Sequence, residues 1–139
     1  MEAQQRVVVK AVPLVPDTLT VWYNTKCPVC DAGIDRQRNR LVRAAKSGAI
    51  DFQDINHNPQ VLARYNATIE DIRRRLHGTD PAGHLHVGFD CAIEIWRRTP
   101  GDHWLATLFS PPALRWPGRL AYNAFATILY VWNRRMGHW

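Results

Sequence analysis

The chain is short of cysteine, of long apolar runs and of acidic residues, and each shortage closes off a class of protein. Three cysteines in 139 residues do not make a disulfide scaffold, which needs them densely and in pairs. The longest apolar stretch, LAYNAFATILYVW over 120–132, contains Asn123 and falls short of the ~20 residues that cross a bilayer. Residues 1–17 are polar at the start and then broken by Lys10, Pro13 and Pro16. They read as an N-terminal extension rather than a signal peptide. Repeats and low-complexity tracts are absent, so 18–139 is expected to be one domain. These absences together point to the cytoplasm, where thiols stay reduced.

Twelve Asp and Glu stand against eighteen Lys and Arg, for a net charge of +6 and a pI near 9.7. A basic excess favours anionic partners. Yet Arg36, Arg38, Arg40, Arg43 and Arg73 to Arg75 accompany no nucleic-acid motif and suit solvated helix faces, so no nucleic-acid partner is expected.

What the chain does have is an orderly alternation of elements. LTVWY, Leu19 to Tyr23, is short, apolar and β-branched, a buried first strand. A helix is predicted from Pro28 to Lys46, with Ile34, Leu41, Val42 and Ala45 as its apolar stripe and Gly48 as a left-handed stop. A second strand follows at Ile50 to Ile55, then a short helix in NPQVLARYN and a third strand at Ile72 to Thr79. The Asp80 to Gly83 turn leads into a fourth strand in HLHVGF. A third helix is expected from Cys91 to Arg98 with Asp90 as N-cap, then a short helix in HWLATLF. After a break at SPPALRWPG comes a last aromatic helix from Arg119 to Arg135. The order β-α-β-α-β-β-α predicts an α/β, thioredoxin-like fold. It has a mixed four-stranded sheet flanked by helices and a helical C-terminal extension from about residue 102. Most of the six tryptophans are expected to fill the core or the joint with that extension.

The stretch YNTKCPVCDAG, 23–33, sets Cys27 and Cys30 at the start of the first helix. Residues i and i+3 share a helix face, so the two sulfurs can meet. Pro28 fits the first helical position. The unpaired N–H groups of the helix start, with Lys26 next door, favour a thiolate, while Asp31 and Asp35 oppose it. This predicts attack by Cys27 and resolution by Cys30. A zinc site remains as an alternative: no second CxxC exists, but His84 and His86 share a strand face and join Cys27 and Cys30 as a ligand set. A third reading keeps the fold as a redox-inactive binding domain. His77, also on the hairpin, is assigned no role.

VWYNTKCPVCDAG, IDFQDI, the segment RRRLHGTDPAGHLHVGFDCAIEIWRRTPG and YNAFATILYVWNRR together resemble the DCC family of thiol-disulfide oxidoreductases. The resemblance implies a thioredoxin-like fold with Cys27 and Cys30 as the catalytic pair and no organic cofactor. The partner it implies is a thiol or disulfide of a protein or of a small molecule such as glutathione; membrane contact is not expected. The chain departs from the family in carrying Asn24 and Thr25 where Asp-Gly is usual, and Cys91 where alanine is usual. In related folds the turn corresponding to Gly88, Asp90 and Cys91 lies beside the active site. These three therefore join Asn24, Thr25, Lys26 and Pro28 as candidate modulators or substrate-site residues, while the preferred reading of Cys91 itself is a small buried apolar side chain. ATIEDIRRRL lacks the proline that thioredoxins carry ahead of the third strand.

Overall fold

The computed structural model describes residues 18–139, so the 1–17 extension lies outside the described residues. The sheet is built on β1 (Leu19–Tyr23), whose Leu19, Val21 and Tyr23 are buried on one face while Thr20 and Trp22 turn to the other. Strand β2 (Ile50–Asp54) pairs parallel with β1 in the register Leu19 to Ile50. On the other side β3 (His77–Thr79) runs antiparallel to β1, and β4 (Leu85–Val87) antiparallel to β3, giving the order β2-β1-β3-β4.

Helix α1 (Pro28–Arg43) and helix α3 (Phe89–Arg98) cover one face, where Leu19, Val21, Leu41, Ile50, Cys91 and Ile95 form a core. Helix α2 (Ile69–Arg74) covers the other, where Ile55, Leu62 and Ile72 pack with Trp22 and Leu85. Burying these side chains supplies the main drive to fold, roughly 1.5–3 kcal/mol for each large one. Two more helices follow, α4 (His103–Phe109) and α5 (Pro112–Arg135). This is the expected thioredoxin-like arrangement of a mixed sheet between helices.

Several local expectations give way to identifiable physics. Helix α1 ends at Arg43 rather than Lys46, and the left-handed residue is Ala45 (φ 56), not Gly48. Lys46 N–H donates to Leu41 and Ala45 N–H to Val42, the paired bonds of a Schellman stop. Val42, placed on the apolar stripe from sequence, is 64% exposed, whereas Gln37 is buried and donates to the buried Asp102 at 3.2 Å. The segment NPQVLARYN yields one 3-10 turn, Ala63–Tyr65. Instead α2 begins at a capping box in which Thr68 and Asp71 satisfy each other's backbone N–H, so 72–74 is helical and the third strand shrinks to three residues. Strand β2 stops at Asp54, and Ile55 opens a 3-10 turn.

Helix α3 begins at Phe89 with Gly88 as N-cap; Asp90 makes two 3.0 Å hydrogen bonds from Arg119 instead. The last helix starts at Pro112, seven residues earlier than expected, because Pro112 sits at its first position and Pro117 is carried within it. Gly118 lets α5 close onto Phe89, whose ring would lie 2.4 Å from an added Cβ. Helix α5 buries Ala126, Tyr130 and Asn133 and turns Leu120, Phe125, Ile128 and Val131 outward. Trp104 and Trp116 are also at the surface, so they are not among the tryptophans that fill the core or the joint. Among the described residues no helix is long and apolar enough to cross a membrane.

Candidate active site

Strand β1 delivers the chain to a three-residue loop, Asn24 to Lys26, and Cys27 then caps α1. Cys27 has extended backbone (φ −87, ψ 111), and its sulfur accepts the Cys30 N–H at 3.3 Å, so the thiol acts as N-cap to its own helix. Pro28 occupies N1, where a missing N–H costs nothing. The loop is fastened from two sides. Asn24, buried, accepts Lys26 N–H at 3.1 Å and Asn56 Nδ2 at 2.8 Å on its side-chain oxygen, and its own NH2 has no partner. Thr25 donates its hydroxyl to Asp54 at 2.9 Å. Burial opposes ionisation of Asp54, but N–H and hydroxyl donors from Asn56 and Thr25 outweigh it and hold the carboxyl below its usual range. Lys26 is exposed at the rim.

All three cysteines are free thiols. Cys27 is only 2% exposed. The hydrogen bond from the Cys30 thiol is the strongest influence on it. Burial opposes ionisation, while the Cys30 N–H, the Asn133 amide and the Val29 N–H add to the lowering, which brings Cys27 to about 6. Donating that same hydrogen bond, with burial and the Cys27 charge behind it, pushes the Cys30 thiol far above the ordinary thiol range. The two shifts run in opposite directions: ionisation is favoured at Cys27 and disfavoured at Cys30.

The roof over Cys27 comes from the far end of the chain. Asn133, 1% exposed in the last turn of α5, donates Nδ2 to the Cys27 sulfur at 3.1 Å. His138 holds the other end of that amide, Nδ1 to Oδ1 at 2.6 Å. The aromatic C-terminus was legible as a helix, but nothing in its spacing announces a contact with the cysteines.

The remaining candidates divide. Gly88 has φ +66, its N–H donates to Leu76 O at 2.8 Å, and Leu76 N–H in turn donates to Tyr122 at 3.2 Å. The backbone just ahead of β3 is therefore already engaged on both its N–H and its carbonyl. There is no cis peptide bond among the described residues. Asp90 is held by Arg119, and Cys91 is 0% exposed, its sulfur packed against Gly78 and the α1–α3 core. Burial pushes the Cys91 thiol well up. Of the two readings of Cys91, the structure has the small buried side chain of the core.

The zinc set is not assembled either. His86 and His84 turn to Asp80, at 2.9 and 3.3 Å, and their hydrogen bonds hold its carboxyl at about 2 against the effect of burial. Among the described residues no three His, Cys, Asp or Glu side chains converge on a metal position. His77 is buried, which lowers its pKa, and contacts the Arg75 carbonyl at 3.0 Å.

A mixed four-stranded sheet with a thiol pair capping the helix after its central strand defines a thioredoxin-like protein. The chain belongs to the DCC1-like thiol-disulfide oxidoreductase family, whose profile matches residues 21–135. No curated protein and no solved structure matches it.

Proposed function

We propose that the protein exchanges thiols for disulfides, with Cys27 as the attacking sulfur and Cys30 as the resolving one. The observation that carries this reading is the ring of donors around Cys27, which leaves it ionised near neutral pH while its neighbour keeps a proton. The Cys27 thiolate attacks a substrate disulfide, forming a mixed disulfide and expelling one substrate thiolate. Cys30 then gives its proton to that thiolate and attacks the Cys27 sulfur, releasing the second substrate thiolate and closing the Cys27–Cys30 disulfide. Two electrons pass from the protein dithiol to the substrate disulfide; with a dithiol substrate and an oxidised protein the steps reverse. Electrons move between sulfurs only, so no organic cofactor is required. The substrate class is a thiol or disulfide of a protein or of a small molecule such as glutathione. Exchange chemistry that starts from a dithiol suits a reducing compartment such as the cytoplasm.

The test is a thiol titration in glutathione buffers of graded poise, with zinc measured on the same sample. A reversible two-electron transition in metal-free protein, lost in Cys27→Ser, is the expected result. About one zinc per chain, with thiols protected until a chelator is added, would overturn the proposal in favour of a metal-holding module.

A further inference from the structure

Four donors surround the Cys27 sulfur, and all but one come from α1 itself. The exception is the Asn133 amide, which arrives from the end of α5. We propose that Asn133 is a positioning residue, locked by His138, that holds Cys27 in its thiolate form and biases the thiol pair toward the reduced state; the second half rests on the redox reading above.

An amide has one donor end and one acceptor end. Here the acceptor is taken: His138 Nδ1–H donates to Asn133 Oδ1, which leaves the NH2 facing the sulfur. His138 is itself held. Its backbone N–H donates to the Asn133 carbonyl at 3.1 Å, and its ring stands edge-on to Trp132 at 5.0 Å. Trp139 closes the tail by resting on Tyr130, 5.7 Å between ring centroids, beneath the Arg73 guanidinium at 5.5 Å. The last turn of α5 and the residues after it therefore form a clamp with the amide at its centre. If only volume were needed at Asn133, leucine would fill the space without burying an amide, whose burial is costly unless both ends are paired.

The chemistry of the acceptor gives the bond a direction. A thiolate is charged and accepts strongly, a protonated thiol accepts weakly, and a disulfide sulfur carries no charge. The Asn133 bond therefore favours thiolate over thiol, and dithiol over disulfide.

The first readout is the pH dependence of Cys27 alkylation by iodoacetamide, located by mass spectrometry in the full chain. A charge-assisted bond of this kind sets an expected rise in midpoint of about one pH unit in Asn133→Ala, roughly tenfold in the ionisation equilibrium. Asn133→Asp, equal in size, is expected to raise it further because a carboxylate then faces the sulfur. His138→Ala is expected to move it the same way by less, since the amide is then free to turn. The second readout is the glutathione equilibrium at pH 8, which Asn133→Ala should shift about tenfold toward the protein disulfide, or ~30 mV.

A folded Asn133→Ala with the wild-type midpoint overturns the proposal. Should that variant fail to fold, His138→Ala near the chain end decides instead, and an unmoved midpoint there overturns it equally. The two readings fail separately. No reversible transition in the wild type removes the redox function and leaves the midpoints to judge Asn133. A normal transition with unmoved midpoints removes the role of Asn133 alone.

Discussion

Replacing Cys30 isolates the largest influence on the attacking sulfur. The Cys30 thiol gives Cys27 its strongest hydrogen bond, ahead of the backbone N–H groups and Asn133. Hydrogen bonds to charged groups are worth about 1.5–3 kcal/mol, and one pKa unit corresponds to about 1.4 kcal/mol. Cys30→Ala should therefore carry the Cys27 midpoint from about 6 to between roughly 7 and 8. The sign follows from the direction of the shift: thiolate is present above the midpoint and lost as pH falls through it.

The assay is the initial rate of reaction with a small aromatic disulfide from pH 5 to 9. At pH 6 the thiolate fraction falls about 5- to 50-fold, but a more basic thiolate is intrinsically more reactive, by about 3- to 8-fold. The net expectation is a rate lower by about 2- to 6-fold at pH 6, and higher by about 3- to 8-fold at pH 9. The two profiles should cross. Cys30→Ser keeps a hydroxyl donor and should stay within about half a unit of the wild type. Superimposed profiles for Cys30→Ala and wild type would refute the reasoning, because the proton shared between the sulfurs would then not set the reactivity.

Three further outcomes are expected. Asn24→Asp keeps the acceptor for Lys26 N–H and Asn56, replaces the unpartnered NH2 with a second oxygen, and sets a negative charge in the thiol loop. The Cys27 midpoint should rise, and an unchanged alkylation profile would remove any electrostatic coupling from this position. Cys91→Ala should leave the glutathione transition where it is and lower stability by about 1 kcal/mol in urea unfolding; a displaced transition would return Cys91 to the site. Gly88→Ala meets both a positive φ and contacts of 3.3 and 3.4 Å with Tyr122 and Arg75. It should cost about 1 kcal/mol or more, and an unchanged urea midpoint would show that the turn relaxes freely.

The parts of the molecule visible in sequence are those whose signals are local. LTVWY carries its own strand pattern, Pro28 marks a helix start, and a CxxC at that junction implies its chemistry before any contact is known. Where two local signals compete, the reading goes astray. RRRLHGT alone suggests a strand, but the Thr68–Asp71 capping box commits 69–74 to helix. SPPALRWPG looks like a break, yet both of the prolines inside α5 are tolerated toward its start. The site divides along the same line. Cys27, Pro28 and Cys30 lie within four residues, so their shared helix start is legible in the chain. Asn133 meets Cys27 through a contact across the molecule that no periodicity encodes. Cys91 lies after a turn that related folds set beside the thiols, but it is a small buried side chain, clustered with Val21 and Leu41 in the core.

The Asn133 bond to Cys27 spans 106 positions, and this bears on biosynthesis. During synthesis Cys27 leaves the ribosome long before Asn133 exists, so for most of translation the sulfur lacks one of the donors that ionise it. On the Asn133 proposal, a nascent or truncated chain presents a more weakly acidic thiol, with less thiolate near pH 6 and a more nucleophilic thiolate well above it. The pH profile of the finished protein is then set only when α5 is complete and docked.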